Sequence, residues 1–335
     1  MRRSTILAAA VLALVAHATT LALAADGDRG ATANAILPPT PGYADEAFEL
    51  ELSEAIPSDQ LFVERSGKVL QTSDGRPYRY VGMNYWQGAN LGSIPGGDRD
   101  RLVRELDQLA SRGITNLRVM AGSEGPNDAP YRVVPAMQIA PGVYDDAVLE
   151  GLDFLLSEMG KRKMRAVMCL SNEWLWSGGL AQYLVWADFA DEIPSHPPGP
   201  NSWEDFMHFT SNFFENEGAM ALYDAHLRLM VGRNNTITGR AYAEDPIIMT
   251  WELANEPRGM TKGEAFFDWV RSTSNLIKSL DPNHMVTIGL EGDTIDPKYN
   301  GIDFELLNSP ESIDYTTIHI WVENWKWYDP YRAGK

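Results

Sequence analysis

Trp251-Glu252-Leu253-Ala254-Asn255-Glu256-Pro257 is an apolar run that ends abruptly in an amide, a carboxylate and a proline. With Ile247, Ile248 and Met249 ahead of it, the run reads as a buried strand spanning Ile247–Ala254. Pro257 donates no backbone hydrogen bond and cannot extend a ladder, so the strand ends in a turn there. A carboxylate at the C-terminal end of a buried parallel strand lies where a barrel of such strands presents its catalytic groups. Glu256 is therefore the residue to explain.

Strands and helices alternate on both sides of this segment. Further candidate strands are Tyr80–Tyr85, Asn116–Ala121, Arg165–Ser171, Met285–Leu290 and Tyr315–Trp321. Helical spacing recurs at Leu102, Leu106 and Leu109, at Val148, Leu152, Leu155 and Met159, and at Phe266, Phe267, Val270 and Ile277. Six strand-then-helix units argue for parallel strands joined by crossovers. The connection from Ser171 to Ile247 is longer than one helix needs; it is expected to carry a loop rich in Trp and Gly, then a helix around Met207–Met230. A doubly wound sheet is disfavoured, because Gly82-Met-Asn-Tyr-Trp86 after the first strand is not a glycine-rich phosphate loop. The expected fold is α/β, a (β/α)8 barrel with about six units present. A short hairpin, marked by Ser66-Gly67 and Asp74-Gly75, precedes it.

The N-terminus begins Met-Arg-Arg, followed by an apolar segment Ile6–Ala16 and a small-x-small site at Ala22-Leu23-Ala24. Residues 1–24 are thus read as a secretory signal peptide cleaved near Ala24; Arg2-Arg3 alone does not make a twin-arginine motif. Residues 25–60, with Pro38-Pro39-Thr40-Pro41, read as a flexible tether, and 61–335 as the folded barrel. Without the leader, 26 basic residues face 46 acidic ones. That balance excludes non-specific nucleic-acid binding as a default, and no later stretch is apolar enough for a membrane span. The expected product is a secreted monomer, extracellular or periplasmic. Its single cysteine, Cys169, lies in an apolar strand and cannot form an internal disulfide.

The strand ends carry Asn84-Tyr85-Trp86, Arg118, Asn172 with Trp174 and Trp176, Asn255-Glu256, Glu291, and His319 with Trp321. This set holds no Ser or Cys paired with a base and no His/Asp groups at metal-ligand spacing. Carboxylates, amides and indoles together describe a sugar site: pyranose C–H faces stack on Trp, and hydroxyls bond to Asn and Arg. Glycoside cleavage needs one carboxylic acid for the leaving oxygen and a second carboxylate to attack or to activate water.

Trp251-Glu-Leu-Ala-Asn-Glu-Pro-Arg258 resembles the acid/base strand of clan A glycoside hydrolases, particularly the family 5 β-mannanases. Tyr80-Val-Gly-Met-Asn-Tyr-Trp86, Trp176-Ser-Gly-Gly-Leu-Ala-Gln-Tyr183 and His319-Ile-Trp321 with Asn324-Trp-Lys-Trp-Tyr-Asp-Pro330 resemble segments of their secreted bacterial members. The resemblance implies a retaining hydrolase of β-1,4-mannans, including glucomannan or galactomannan, with no metal or organic cofactor. Glu256 would be its general acid/base and Asn255 would bind the sugar 2-hydroxyl. Arg118 would sit beside the nucleophile, while His319 lines the cleavage site and Trp321 serves as a sugar platform. A nearby nucleophile carboxylate should raise the pKa of Glu256.

The resemblance places that nucleophile at the end of a seventh strand, which this sequence does not reach. The expectation is a C-terminally truncated, inactive chain with unpaired barrel edges at strands one and six. Glu252 does not replace the nucleophile, because four residues along an extended strand put it ~13 Å from Glu256, beyond the ~5–5.5 Å of a retaining pair. Glu291 and Glu323 are near strand ends, but nothing in the spacing sets either opposite Glu256. A β-1,4-glucanase of the same family and a non-catalytic glycan-binding protein remain the alternatives.

Overall fold

The computed structural model describes residues 61–129, 132–293 and 300–322. The expected signal peptide, the tether and Glu323, Trp325 and Trp327 lie outside the described residues.

Strands β1 (Val63–Ser66) and β2 (Val69–Thr72) form the antiparallel hairpin expected at Ser66-Gly67. The main sheet contains β3 (Gly82–Asn84), β4 (Asn116–Met120), β7 (Arg165–Cys169), β8 (Ile248–Glu252) and β9 (Met285–Thr287), in that order and all parallel. Strands that neighbour each other in sequence order and joined by helices make the wall of a (β/α) barrel. All residues of β7 and β8 are buried, as expected where side chains meet the barrel interior on one face and helices on the other. Between β4 and β7 a small hairpin, β5 (Gln138–Ala140) and β6 (Val143–Tyr144), turns at Gly142. The Pro141-Gly142 pair was a legible turn signal for it.

Helices α1 (Gly88–Gly92), α2 (Arg99–Ser111) and α3 (Asp146–Lys161) cover one side of this wall. The Asp98 and Asp145 carboxylates accept backbone N–H groups of the first turns and fix where α2 and α3 begin. Beyond β7 come α4 (Gly179–Trp186), α5 (Trp203–Thr210), α6 (Glu217–Val231) and, after β8, α7 (Gly263–Leu280). Leu152, Leu155, Met159, Tyr223, Leu227, Phe266 and Val270 are buried against the outer face of the sheet. Cys169 is buried and free.

The structure corrects two expectations. The helix expected around Met207–Met230 is broken: α5 passes into a 3-10 turn over Ser211–Glu215, and α6 restarts behind Asn216, whose side chain accepts the Ala219 N–H. Ser211 and Asn212 bond back to the His208 carbonyl, and this local competition favours a break. The sixth strand, Tyr315–Trp321, is an extended segment instead of a ladder strand. It follows β9 through sparse bonds, with the N–H groups of Asp314 and His319 on the Val286 and Glu291 carbonyls. Two more come from hydroxyls, Thr287 to the Tyr315 carbonyl and Thr317 to that of Leu290. Val81, Met83, Ile318 and Ile320 are exposed along the two outermost segments.

Candidate active site

The β8 ladder ends at Glu252, and the chain then bends out of the extended form. The bend culminates at Glu256, which adopts φ +56°, a left-handed conformation that residues other than glycine rarely take. The Glu256 N–H donates to the Gly289 carbonyl at 2.9 Å. Gly289 has φ +92°, and a Cβ there would lie 2.0 Å from the Ala254 carbonyl oxygen, so only glycine lets the two segments meet. The reversal after β8 is thus built by close backbone approach, and it aims Glu256 into the barrel mouth.

Three N–H donors converge on the Glu256 carboxylate. Trp174 Nε1 donates to Oε2 at 2.6 Å, and Trp321 Nε1 donates to Oε1 at 3.4 Å. His319 Nδ1 lies 2.7 Å from Oε1; with Glu256 ionised, Nδ1 carries the hydrogen and donates it. Burial pushes the Glu256 pKa up, but His319 and Trp174 outweigh it, and the group is held below its ordinary value. The expected raised pKa is therefore not what this arrangement produces: donors surround the carboxylate, and no described acid is hydrogen-bonded to it.

Beside Glu256 lies a chain of amides. Asn172 and Asn255 form an isolated parallel bridge three residues beyond the last β7–β8 ladder pair, Cys169 and Glu252. Asn255 Nδ2 donates to Asn172 Oδ1 at 3.0 Å, and Asn172 Nδ2 donates to Ser177 Oγ at 2.9 Å. Asn255 Oδ1 accepts from Arg118 Nη2 at 2.9 Å. A carboxamide has two N–H donors, so Asn255 keeps one for another acceptor.

Arg118 lies at the middle of β4 and not at the strand end where the sequence placed it; it also grips Glu252 in a two-point ion pair, through Nε at 2.9 Å and through Nη2. Its guanidinium stands 4.5 Å over the Trp86 ring, a cation–π contact, and Trp86 lies 5.7 Å from Trp176. Burial would lower the Arg118 pKa, but the Glu252 charge prevails and keeps the guanidinium ionised. Glu252 is accordingly a barrel-interior residue neutralised by Arg118. Since the regular strand stops at Glu252, the straight-chain measure of ~13 Å to Glu256 does not describe this bend.

Glu291 does not face Glu256 alone. Its Oε2 accepts Arg258 Nε at 2.8 Å and Nη2 of the same residue, and Arg258 stacks 5.2 Å from the Trp174 ring. Burial raises the Glu291 pKa against the pull of Arg258. Glu173, which the sequence did not single out, is fully buried, and neither of its carboxyl oxygens has a partner among the described residues. Burial holds its pKa well above the usual carboxylate range, against the Arg258 charge and the Arg258 backbone N–H, which approaches the carboxyl without completing a well-formed hydrogen bond. Glu124, also unforeseen, lies behind the site and accepts from Ser171 Oγ, the Gly179 N–H and Tyr183 Oη at 3.0, 2.9 and 3.2 Å. Burial lifts it to about 7 despite these donors.

The structure therefore draws Glu256, His319, Trp321 and Trp174 into one cluster, and Asn255, Asn172, Arg118 and Trp86 into an adjoining one. Trp176 joins through Trp86, and Glu291 through Arg258. Among the described residues, no group of three or more His, Cys, Asp or Glu is arranged to hold a metal ion.

The described residues form part of a (β/α) barrel whose mouth gathers carboxylates, amides and indoles. The family profile described as "GH family 5 beta-mannosidase-like" matches residues 60–334, and the chain belongs to this glycoside hydrolase family. It is similar to mannan endo-1,4-beta-mannosidase 5 of Solanum lycopersicum, at 33% identity over 297 residues covering 84% of this chain and 66% of that protein. A putative mannan endo-1,4-beta-mannosidase 9 of Oryza sativa subsp. japonica is 36% identical over 264 residues, 76% of this chain and 59% of that protein. The crystal structure of a glycoside hydrolase family 5 mannosidase from Rhizomucor miehei superposes with a TM-score of 0.74 at 41% identity, covering 84% of this chain and 66% of the other. The chain thus spans slightly under two thirds of the length of these relatives.

Proposed function

We propose that the protein hydrolyses β-1,4-mannosidic bonds in mannan, with Glu256 as general acid/base. The observation that carries this reading is the Glu256 carboxylate, buried at a strand end, held by three N–H donors and flanked by the Asn255–Arg118 pair. The names of its relatives, mannan endo-1,4-beta-mannosidases and a family 5 mannosidase, favour mannan as the substrate. The apolar leader Ile6–Ala16 supports export and action outside the cytoplasm.

In this reading Glu256 protonates the glycosidic oxygen and later takes a proton from the incoming water. The ionised, triply bonded state matches the second task. For the first, an incoming sugar that displaces one N–H donor would let burial raise the pKa and load the proton. Asn255 offers its remaining N–H to a sugar hydroxyl. The attacking carboxylate is not among the described residues around Glu256: Glu252 and Glu291 are held by arginines, and Glu173 is sealed from solvent.

Release of reducing ends from mannan and from carboxymethylcellulose, measured side by side, tests the assignment. Turnover of mannan is expected of a chain that includes the strand carrying the attacking carboxylate, with Glu256→Gln slower by about 10²–10⁴-fold. Preference for cellulose would sink the substrate assignment, and binding without turnover would support the glycan-binding reading.

A further inference from the structure

We propose that the stacked pair Trp203–His196 is a further sugar platform, extending the cleft past Trp174 to hold another residue of a β-1,4-linked hexose chain. It rests on the reading of the protein as a mannan hydrolase, and nothing in the sequence motifs pointed to either residue.

Three observations carry it. Trp203 opens α5 and is 45% exposed, although Phe206 and Met207, just along the same helix, are buried. Exposed at the edge of a sugar site, its indole face is free to stack on a pyranose. The ring is also held in place beforehand. His196 lies parallel to it at 4.2 Å and 13°, and His196 Nδ1 is anchored on the Pro197 carbonyl at 2.8 Å. Ser202 and Asp205 close a reciprocal capping box around Trp203, and the preceding loop is stiffened by Pro194, Pro197, Pro198 and Pro200. Binding there would cost little ordering of side chain or loop.

The third observation is continuity with the site. Trp174, whose indole N–H is bonded to Glu256, meets Trp203 edge to face at 5.7 Å and 87°. On its other contact Trp174 lies nearly parallel to Phe206, which fixes its tilt. The aromatic surface therefore runs without a break from the acid/base to the exposed ring. In this proposal a chain long enough to run past Trp174 meets the exposed ring, whereas a disaccharide confined to the cleavage point is held by the Glu256 cluster alone.

Calorimetric binding of mannobiose and mannohexaose, in a Glu256→Ala background that keeps the sugars intact, tests the platform. The expected result is that Trp203→Ala weakens mannohexaose about tenfold and leaves mannobiose unchanged, with smaller losses for Trp203→Phe and His196→Ala. Melting temperature and circular dichroism of each variant report folding independently, and Trp203→Phe preserves the ring should the alanine variant unfold. Unchanged mannohexaose affinity overturns the platform while leaving the mannan reading intact, and an equal loss on both sugars overturns it in favour of a structural role. Binding of cellohexaose in place of mannohexaose, still weakened by Trp203→Ala, overturns the mannan reading and keeps the platform. No binding of any of these sugars overturns both.

Discussion

His319 Nδ1 stands 2.7 Å from Glu256 Oε1, although they are 63 positions apart in the sequence, and this contact is the largest of those that oppose burial in setting the Glu256 pKa. Removing it leaves burial less opposed. His319→Ala is expected to raise the Glu256 pKa and to move the basic limb of the kcat/KM profile to higher pH, since activity requiring protonated Glu256 fades as pH rises through that pKa. Loss of one hydrogen bond to a charged group should also lower kcat/KM by about 10–100-fold. A pH profile with an unmoved basic limb contradicts the assignment.

Arg118 and Glu252 form a buried pair whose halves are not separately tolerable. Arg118→Met strands the Glu252 charge in the barrel interior and is expected to cost about 3–5 kcal/mol. Adding Glu252→Gln should recover a large part of that loss. Urea unfolding of the two single variants and the double variant measures the coupling, and simple additivity would rule it out.

Glu124 reads out through stability. Its folded pKa, about 7, lies above the unfolded value of about 4.3, so the folded state holds the proton more tightly. Stability from this group is full below the unfolded value and declines as pH rises to about 7, by roughly 3 kcal/mol in all. Glu124→Gln should flatten that part of the curve of melting temperature against pH. An equally steep decline in the variant argues against Glu124 as its source.

Glu173 carries a carboxyl group with no hydrogen-bond partner among the described residues. Replacement of such a group by an apolar one of similar shape relieves an uncompensated desolvation cost. Glu173→Met is expected to leave stability unchanged or to raise it by about 1–3 kcal/mol, measured by chemical denaturation at pH 7. A loss of comparable size would mean that Glu173 has a stabilising partner.

Much of this was legible in the residues. The periodic leucines placed α2 and α3, and the apolar runs placed β4, β7 and β8, because burial on a helix stripe or on both faces of a strand imposes its own spacing. Asn255 and Glu256 stood out because polar groups at the end of such a run need a reason. The break between α5 and α6 was not legible, since hydrophobic spacing continues across it while side-chain bonds at Ser211 and Asn212 compete with the helix. Nor was Tyr315–Trp321, whose strand-like composition is not matched by ladder bonds.

The sequence by itself determined the class of fold and the identity of the carboxylate at its mouth, because both follow from local patterns of burial and from residue type. Only the tertiary structure decided the electrostatics. Whether Glu256 is raised or lowered depends on donors from residues 174, 319 and 321, and whether Arg118 is free for a ligand depends on Glu252. Those partners are distant along the chain, and at hydrogen-bond range their placement outweighs the burial term that the sequence pattern alone suggests.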